Sequence, residues 1–235
     1  MPPALRYETL EKLPVGRPVD RLAWIAERCR GKAVLDIGCL DETALAKRDT
    51  EHWLHGRIAA SARCVLGVDR SAMLPPEGIQ TAPNATIVRG DGVALDDALL
   101  ARAGAEIVVA GEFIEHIESP LAFFARLREA LPGRELVLST PNGVCFANTL
   151  MGSIGREVQH HDHLHNFTYK ILATLCTRAG FPAWQIVPYR FYATEMILAS
   201  RGARRLAVQA VQGGIRAVER CFPLLSFGYI VQARL

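Results

Sequence analysis

The 235-residue chain lacks several features that would place it quickly. No apolar run approaches the roughly 18 residues of a membrane span, and MPPALRYETLEKL at the start has no signal-peptide core. A soluble, cytoplasmic protein is expected. The six cysteines are scattered with no C-x-x-C pair, which makes a reducing cytosol the simplest compartment. Cys39 and Cys64, in or beside apolar runs, are expected to act as small buried hydrophobes. Charge of one sign is also missing: 27 basic against 24 acidic residues give a net charge of +3 and no electrostatic case for DNA. Internal repeats and low-complexity segments are absent. Global disorder is excluded, because 50% of the residues are hydrophobic and only 22% are charged.

What is present is an alternation of short apolar runs with helical patterns. AVLDIGC (33–39), CVLGVD (64–69), ATIVRGD (85–91), EIVVAG (106–111) and ELVLST (135–140) read as strands. RLAWIAERC (21–29), WLHGRIAASA (53–62), DDALLARAG (96–104) and PLAFFARLREAL (120–131) read as helices around them. Near-continuous apolar strands alternating with helices predict an α/β parallel sheet covered on both faces. FTYKILATLCTRAGF (167–181) reads as a helix closed by Gly180, and QIVPYRFY (185–192) and GYIVQAR (228–234) as two later strands. Between those strands, 204–222 is expected to be helical, with Val211, Ile215, Val218 and Phe222 as its apolar stripe and a kink or break at Gly213-Gly214. The whole chain, 1–235, reads as one domain with a helical N-terminal segment (1–30) and an insertion (193–227) suited to a lid or a homodimer surface.

Ligands of such sheets bind beyond the carboxyl ends of the strands. In order, those ends carry Gly38-Cys39, Asp69, Asp91-Gly92, Gly111-Glu112 and Thr140-Pro141-Asn142. A glycine after the first strand lets a ligand approach backbone amides. An acid after the second can accept both hydroxyls of a ribose, and one after the third can accept from an adenine amine. The loop GCLDETALAKRD lacks G-x-G-x-x-G and carries acids, which disfavours a dinucleotide and allows a nucleoside without phosphates. Lys47 and Arg48 are within reach of a ligand carboxylate, although solvated loop charge is the simpler reading.

A second concentration of chemistry lies in EFIEHI (112–117) and QHHDHLHN (159–166). Two readings of it compete. In one, Glu112, Glu115, His116 and a histidine from 161–165 bind a divalent cation, whose mixed oxygen and nitrogen donors suit Mn, Fe or Zn better than Mg. In the other, His116, His161 or His163 is a general base without a metal, and the glutamates position ligands or cap the helix beginning near Ser119-Pro120.

VLDIGC, GVD, VRGDGVAL, GEFIEHIESP and LVLSTPN together resemble the motifs of class I S-adenosylmethionine-dependent methyltransferases, over nearly the whole chain. The resemblance implies a Rossmann-like, doubly wound, mostly parallel seven-stranded sheet with an antiparallel last strand. It implies S-adenosylmethionine as cofactor, lined by Asp36, Gly38, Cys39, Asp69, Arg70, Asp91, Gly92, Gly111 and Glu112. E-x-x-E-H with a later histidine is similar to the metal set of ubiquinone-pathway O-methyltransferases and of small-RNA 2′-O-methyltransferases. That likeness implies Glu112, Glu115, His116 and His163 as ligands, with His161 as alternate. Leu40 and Glu42 stand where the family usually has glycines. The RNA enzymes carry F-E-W where this chain has His165-Asn166-Phe167, and no basic stripe accompanies the site, so RNA is disfavoured as substrate. The expected acceptor is a hydroxyl of a small metabolite or glycan precursor. The arginines of 193–227 are placed to meet an anionic substrate, a lipid headgroup or water. A non-catalytic relative that binds the cofactor is the competing class; the missing glycines favour it, and the filled Glu/His cluster opposes it.

Overall fold

A computed structural model of the chain describes residues 11–40, 43–44 and 47–235. Glu42 and residues 1–10 lie outside the described residues. The strands are β1 (Ala33–Ile37), β2 (Cys64–Asp69), β3 (Ile79–Ala82), β4 (Ala85–Arg89), β5 (Ile107–Gly111), β6 (Glu135–Pro141), β7 (Trp184–Tyr189) and β8 (Gly228–Arg234). They form one sheet in the order β3-β4-β2-β1-β5-β6-β8-β7. The core strands pair in parallel: β1 with β2, β2 with β4, β1 with β5 and β5 with β6. The expected antiparallel last strand is β8, which pairs with β6 and β7. A short edge strand, β3, adds an eighth by pairing antiparallel with β4. Its sequence, IQTA, has no apolar run and none of its residues is buried, so periodicity could not reveal it.

The helices are α1 (Arg21–Arg28), α2 (Leu54–Ala59), α3 (Asp97–Ala103), α4 (Pro120–Ala130), α5 (Phe146–Ser153), α6 (Tyr169–Arg178), α7 (Thr194–Leu198) and α8 (Gly202–Cys221). Successive strand residues feed opposite faces. Leu35, Ile37, Val108 and Ala110 pack with Leu100 of α3, Phe123 and Phe124 of α4 and Leu172 of α6. Val34, Ile107 and Val109 pack with Ile25 of α1 and Ile58 of α2. This period of two, with every residue of β1 buried, is why the strands read as continuous apolar runs. Local signals set the helix starts. Asp20 accepts from the Ala23 amide, Ser119 from Ala122 with Pro120 as the first helical residue, and Thr168 from Ile171. Gly180, at φ +68, closes α6.

Four expectations need correction. Among the described residues of the N-terminal segment, helix is confined to Arg21–Arg28; residues 11–18 carry none, and Val19 bridges to Tyr189 beside β7. Gly213-Gly214 does not split α8, which runs unbroken for 20 residues. Its expected apolar stripe is divided: Val211 and Phe222 are 62% and 60% exposed, whereas Ile215 and Val218 are half-buried. Polar side chains share the inner side with them. Glu219 accepts from the Phe191 amide, Gln212 from the Ala193 amide, and Arg216 Nε donates to the Phe191 carbonyl. These bonds satisfy the backbone that follows β7, so polar residues were the ones needed inside. Burial pushes the Glu219 carboxyl up to about 7. Finally, Cys64 is exposed, whereas Cys29, Cys145 and Cys176 are buried.

Gly228 opens β8 where a Cβ would collide with the Tyr189 ring and hydroxyl and with the Thr140 carbonyl. A backbone atom cannot yield as a flexible side chain would. Gly228→Ala is therefore expected to destabilise the fold by about 1–3 kcal/mol, read as a lower urea midpoint with an unchanged m-value.

Candidate active site

After β1 the chain supplies β2 and β4 on one side, then crosses to β5 and β6 on the other. The carboxyl ends of β1 and β5 thus flank the switch point, where open α/β sheets bind ligands. A cavity of about 1030 Å³ lies there. All nine residues expected around the cofactor line it: Asp36, Gly38, Cys39, Asp69, Arg70, Asp91, Gly92, Gly111 and Glu112.

Their local roles differ. Gly38 has φ +68 and its amide donates to the Val68 carbonyl. A Cβ there would meet Phe113 at 2.6 Å, and one at Gly92 would collide with Ile37 and Phe113. Phe113, from inside EFIEHI, is thus the floor that both glycines accommodate, and no motif or spacing marks it in the sequence. Asp69 is buried, with Oδ2 accepting from the Leu40 amide (2.9 Å) and Oδ1 from the Ser71 amide (2.8 Å). Burial raises its carboxyl above the ordinary range, opposed by those two donors. Asp36 is engaged by His55, whose Nδ1 lies 2.8 Å from Asp36 Oδ2 and whose Nε2 lies 2.9 Å from the Thr81 hydroxyl. Burial, followed by the charges of Asp36 and Asp69, pushes the Cys39 thiol well up, so it stays protonated.

The atypical loop after β1 is pinned by an indole rather than by glycines. Trp53 Nε1 donates to the Cys39 carbonyl (3.1 Å), and the buried ring packs with Leu40, Ala44, Leu74 and Ile87. Lys47 is not solvated loop charge: it is buried, lines the cavity, and lies 3.6 Å from Glu195 of α7. Arg48 is turned away, toward the Gln80 carbonyl.

At the other end of the cavity, the expected four-ligand set is only partly brought together. Glu112 has φ 53, the one positive value outside glycine among the described residues. Its Oε1 accepts from Ser139 Oγ (3.0 Å) and the Tyr189 hydroxyl (2.9 Å), and Arg21 lies 3.4 Å away. These bonds hold a backbone conformation that is costly for a residue with a Cβ. Glu115 is 1% exposed, and neither carboxylate oxygen has a hydrogen-bond partner. Burial, then the charge of Glu112, drives its carboxyl well above the usual range. It lies beneath the cavity wall rather than in the lining.

His116 and His163 do meet, with ring centroids 4.7 Å apart. The third member is His160, which the sequence reading passed over. One ring nitrogen from each of His116, His160 and His163 lies within 4.8 Å of the others. His161 stacks on His160 but does not line the cavity. The segment is tied to EFIEHI by the amides of Leu164 and His165, both donating to the Glu115 carbonyl. His116 Nδ1 donates to the Asp162 carbonyl (3.3 Å) and His163 Nδ1 to Gln159 Oε1 (3.4 Å). That tautomer leaves the Nε2 lone pair of each ring for a proton or a metal.

Burial depresses the pKa of His116 and of His163, helped by their histidine neighbours. Both rings are neutral at pH 7, and acid removes the lone pair that either role requires. Turnover is therefore expected to be flat above pH 7 and to fall as pH drops below about 6.5. A kcat/KM profile across that range checks the sign; activity that rises toward acid would contradict it.

Residues 8–186 match the methyltransferase-domain family. Among solved structures, a SAM-dependent methyltransferase from Mesorhizobium loti superimposes with a TM-score of 0.53 and 18% identity, covering 91% of this chain and 98% of that one. A SAM-dependent methyltransferase from Thermotoga maritima, described as a possible histamine N-methyltransferase, gives 0.54 and 13%, covering 91% of this chain and 86% of that one. The small RNA methyltransferase HEN1 gives 0.56 and 20%, covering 97% of this chain but 27% of that one. At these identities the likeness establishes the fold. No protein of curated function matches the sequence.

Proposed function

The chain belongs to the methyltransferase-domain family and has the class I S-adenosylmethionine-dependent fold; from that premise we propose that it methylates a hydroxyl of a small metabolite or glycan precursor. The observation carrying this reading is the convergence of His116, His160 and His163 in the lining of a cavity that Asp69 and Gly38 also line. The cavity's residues fit the cofactor. Asp69 keeps one lone pair on each oxygen beyond its two backbone bonds, enough for two ribose hydroxyls. Gly38 would leave the backbone open to the methionine portion, and Asp91 and Gly92 would flank the adenine.

When bound, S-adenosylmethionine supplies a methyl already activated by its sulfonium. The protein's task is then to align the acceptor and take its proton. His116, neutral and held through Nδ1, accepts the hydroxyl proton at Nε2 as the oxygen attacks. An oxygen acceptor needs such a base, which is why the histidine cluster favours it.

The same convergence supports a second reading, in which a divalent cation bound by His116, His160 and His163 lowers the pKa of the acceptor hydroxyl. Three imidazoles suit Zn, Fe or Mn better than Mg. Glu112 and Glu115, the other residues proposed as ligands, would have to leave their present surroundings to join. RNA is the poorer substrate class for this chain, which has His165-Asn166-Phe167 where the small-RNA enzymes carry F-E-W.

The test is a methyl-transfer screen over catechols, phenols, sugars and nucleosides, with and without chelator and added cations. Transfer to hydroxyls that survives chelation supports the histidine base; loss restored by a cation supports the metal. Transfer only to nitrogen would refute oxygen as the acceptor.

A further inference from the structure

The end of the molecule built by α5, α7 and α8 is apolar on the outside. Helix α5 contains Phe146, Leu150 and Met151 and no charged residue, yet buries none of its residues. Helix α7 buries none either, and the only buried residue of the 20-residue α8 is Glu219. Both shorter segments pack against α8. Of the 14 large apolar side chains exposed among the described residues, 10 fall in 144–158 or 196–224. A concentration of this kind marks a surface that meets something.

The charge on this end indicates what it meets. Arg156, Arg201, Arg204, Arg205 and Arg220 are all exposed. The glutamates of the same segments offset them little: Glu219 is buried beneath α8 and Glu195 lies against Lys47, leaving Glu157. A second copy fits poorly, because antiparallel pairing of α8 sets Arg204 and Arg205 against Arg220 and parallel pairing sets each arginine against itself. An anionic surface fits well. No helix among the described residues is long and apolar enough to cross a bilayer, so the mode is docking rather than spanning.

We propose that α5, α7 and α8 dock this protein on an anionic lipid bilayer, with Leu150, Ile154, Leu206 and Val211 entering the acyl boundary and the arginines meeting headgroups. Val158 and Met196 are exposed and also line the cavity, so docking turns the cavity's rim toward the lipid. The inference does not depend on the identity of the methyl acceptor.

Co-sedimentation of the full chain with vesicles tests it. Binding to phosphatidylglycerol-containing vesicles is expected, with much weaker binding to pure phosphatidylcholine. Arg204→Glu with Arg205→Glu should lower the anionic-vesicle affinity about tenfold or more, and Leu206→Ser with Val211→Ser should lower it comparably. None of these four residues lines the cavity, so circular dichroism, melting midpoint and cofactor titration should match wild type. The proposal is overturned if wild type stays in the supernatant with anionic vesicles, or if either double variant sediments as wild type does. It is equally overturned if the wild-type chain is a dimer that Leu206→Ser with Val211→Ser converts to monomer.

Discussion

Replacing Asp69 by alanine is expected to raise the Kd for S-adenosylmethionine by about a hundredfold or more while the chain stays folded. Two hydrogen bonds from hydroxyls to a carboxylate are lost, each worth about 1.5–3 kcal/mol. The two donors already on Asp69, the amides of Leu40 and Ser71, lose their acceptor as well. Both lie at the ligand edge of the sheet, where water can replace a carboxylate, so the cost in stability should be smaller than the cost in binding. Asp69→Asn separates the two effects. It keeps the shape and one carbonyl acceptor but loses charge and half the lone pairs, and should fall between wild type and alanine. Titration of each variant, with circular dichroism as the fold control, checks the order. Equal affinity in all three would remove Asp69 from the cofactor site.

His116→Ala is expected to lower kcat by about 10²- to 10⁴-fold with cofactor affinity nearly unchanged, the range for loss of a positioned general base. The residue is half-buried on a single 3-10 turn, Ile114–His116, and its side-chain bond goes to the Asp162 carbonyl of the facing segment. Removing it takes little from the core. Glu112→Ala provides the contrast. It strips Arg21, whose side chain is 12% exposed, of its counter-charge and leaves the Tyr189 and Ser139 hydroxyls without their acceptor. Loss of melting midpoint should therefore accompany any loss of turnover in Glu112→Ala and not in His116→Ala. Single-turnover and calorimetric measurements on the two variants distinguish a group at the reacting atoms from one that holds the fold.

Strands β1, β2, β5 and β6 were readable because they are buried on both faces and appear in the sequence as nearly continuous apolar runs. Seven of the nine positions expected around a cofactor followed from the rule that ligands lie beyond strand ends, Asp36 and Arg70 came from the family resemblance, and all nine line the cavity. Elements that are not apolar on their inner side were harder to read. Strand β3 is half-exposed, and α8 turns Gln212, Arg216 and Glu219 inward to satisfy the backbone after β7. Of the apolar stripe that periodicity placed on α8, Ile215 and Val218 are half-buried while Val211 and Phe222 are exposed. The acceptor end depended on two segments 40 and more residues apart in sequence meeting at the Glu115 carbonyl. Motif spacing joined Glu112 and Glu115 to His116, whereas the fold engages Glu112 with Tyr189 and buries Glu115. His160 entered the cluster because the turn at 160–163, closed by the His163 amide on the His160 carbonyl, folds its ring back toward His116. Spacing alone carries no record of that turn.

The most direct measurement is calorimetric titration of the folded chain with S-adenosylmethionine and with its demethylated product. Saturable binding of both at one site, competitive with each other and weakened by Asp69→Ala, is the predicted result. Absence of heat and of competition with either ligand, on protein that remains folded, would contradict the assignment of this cavity to a methyl donor.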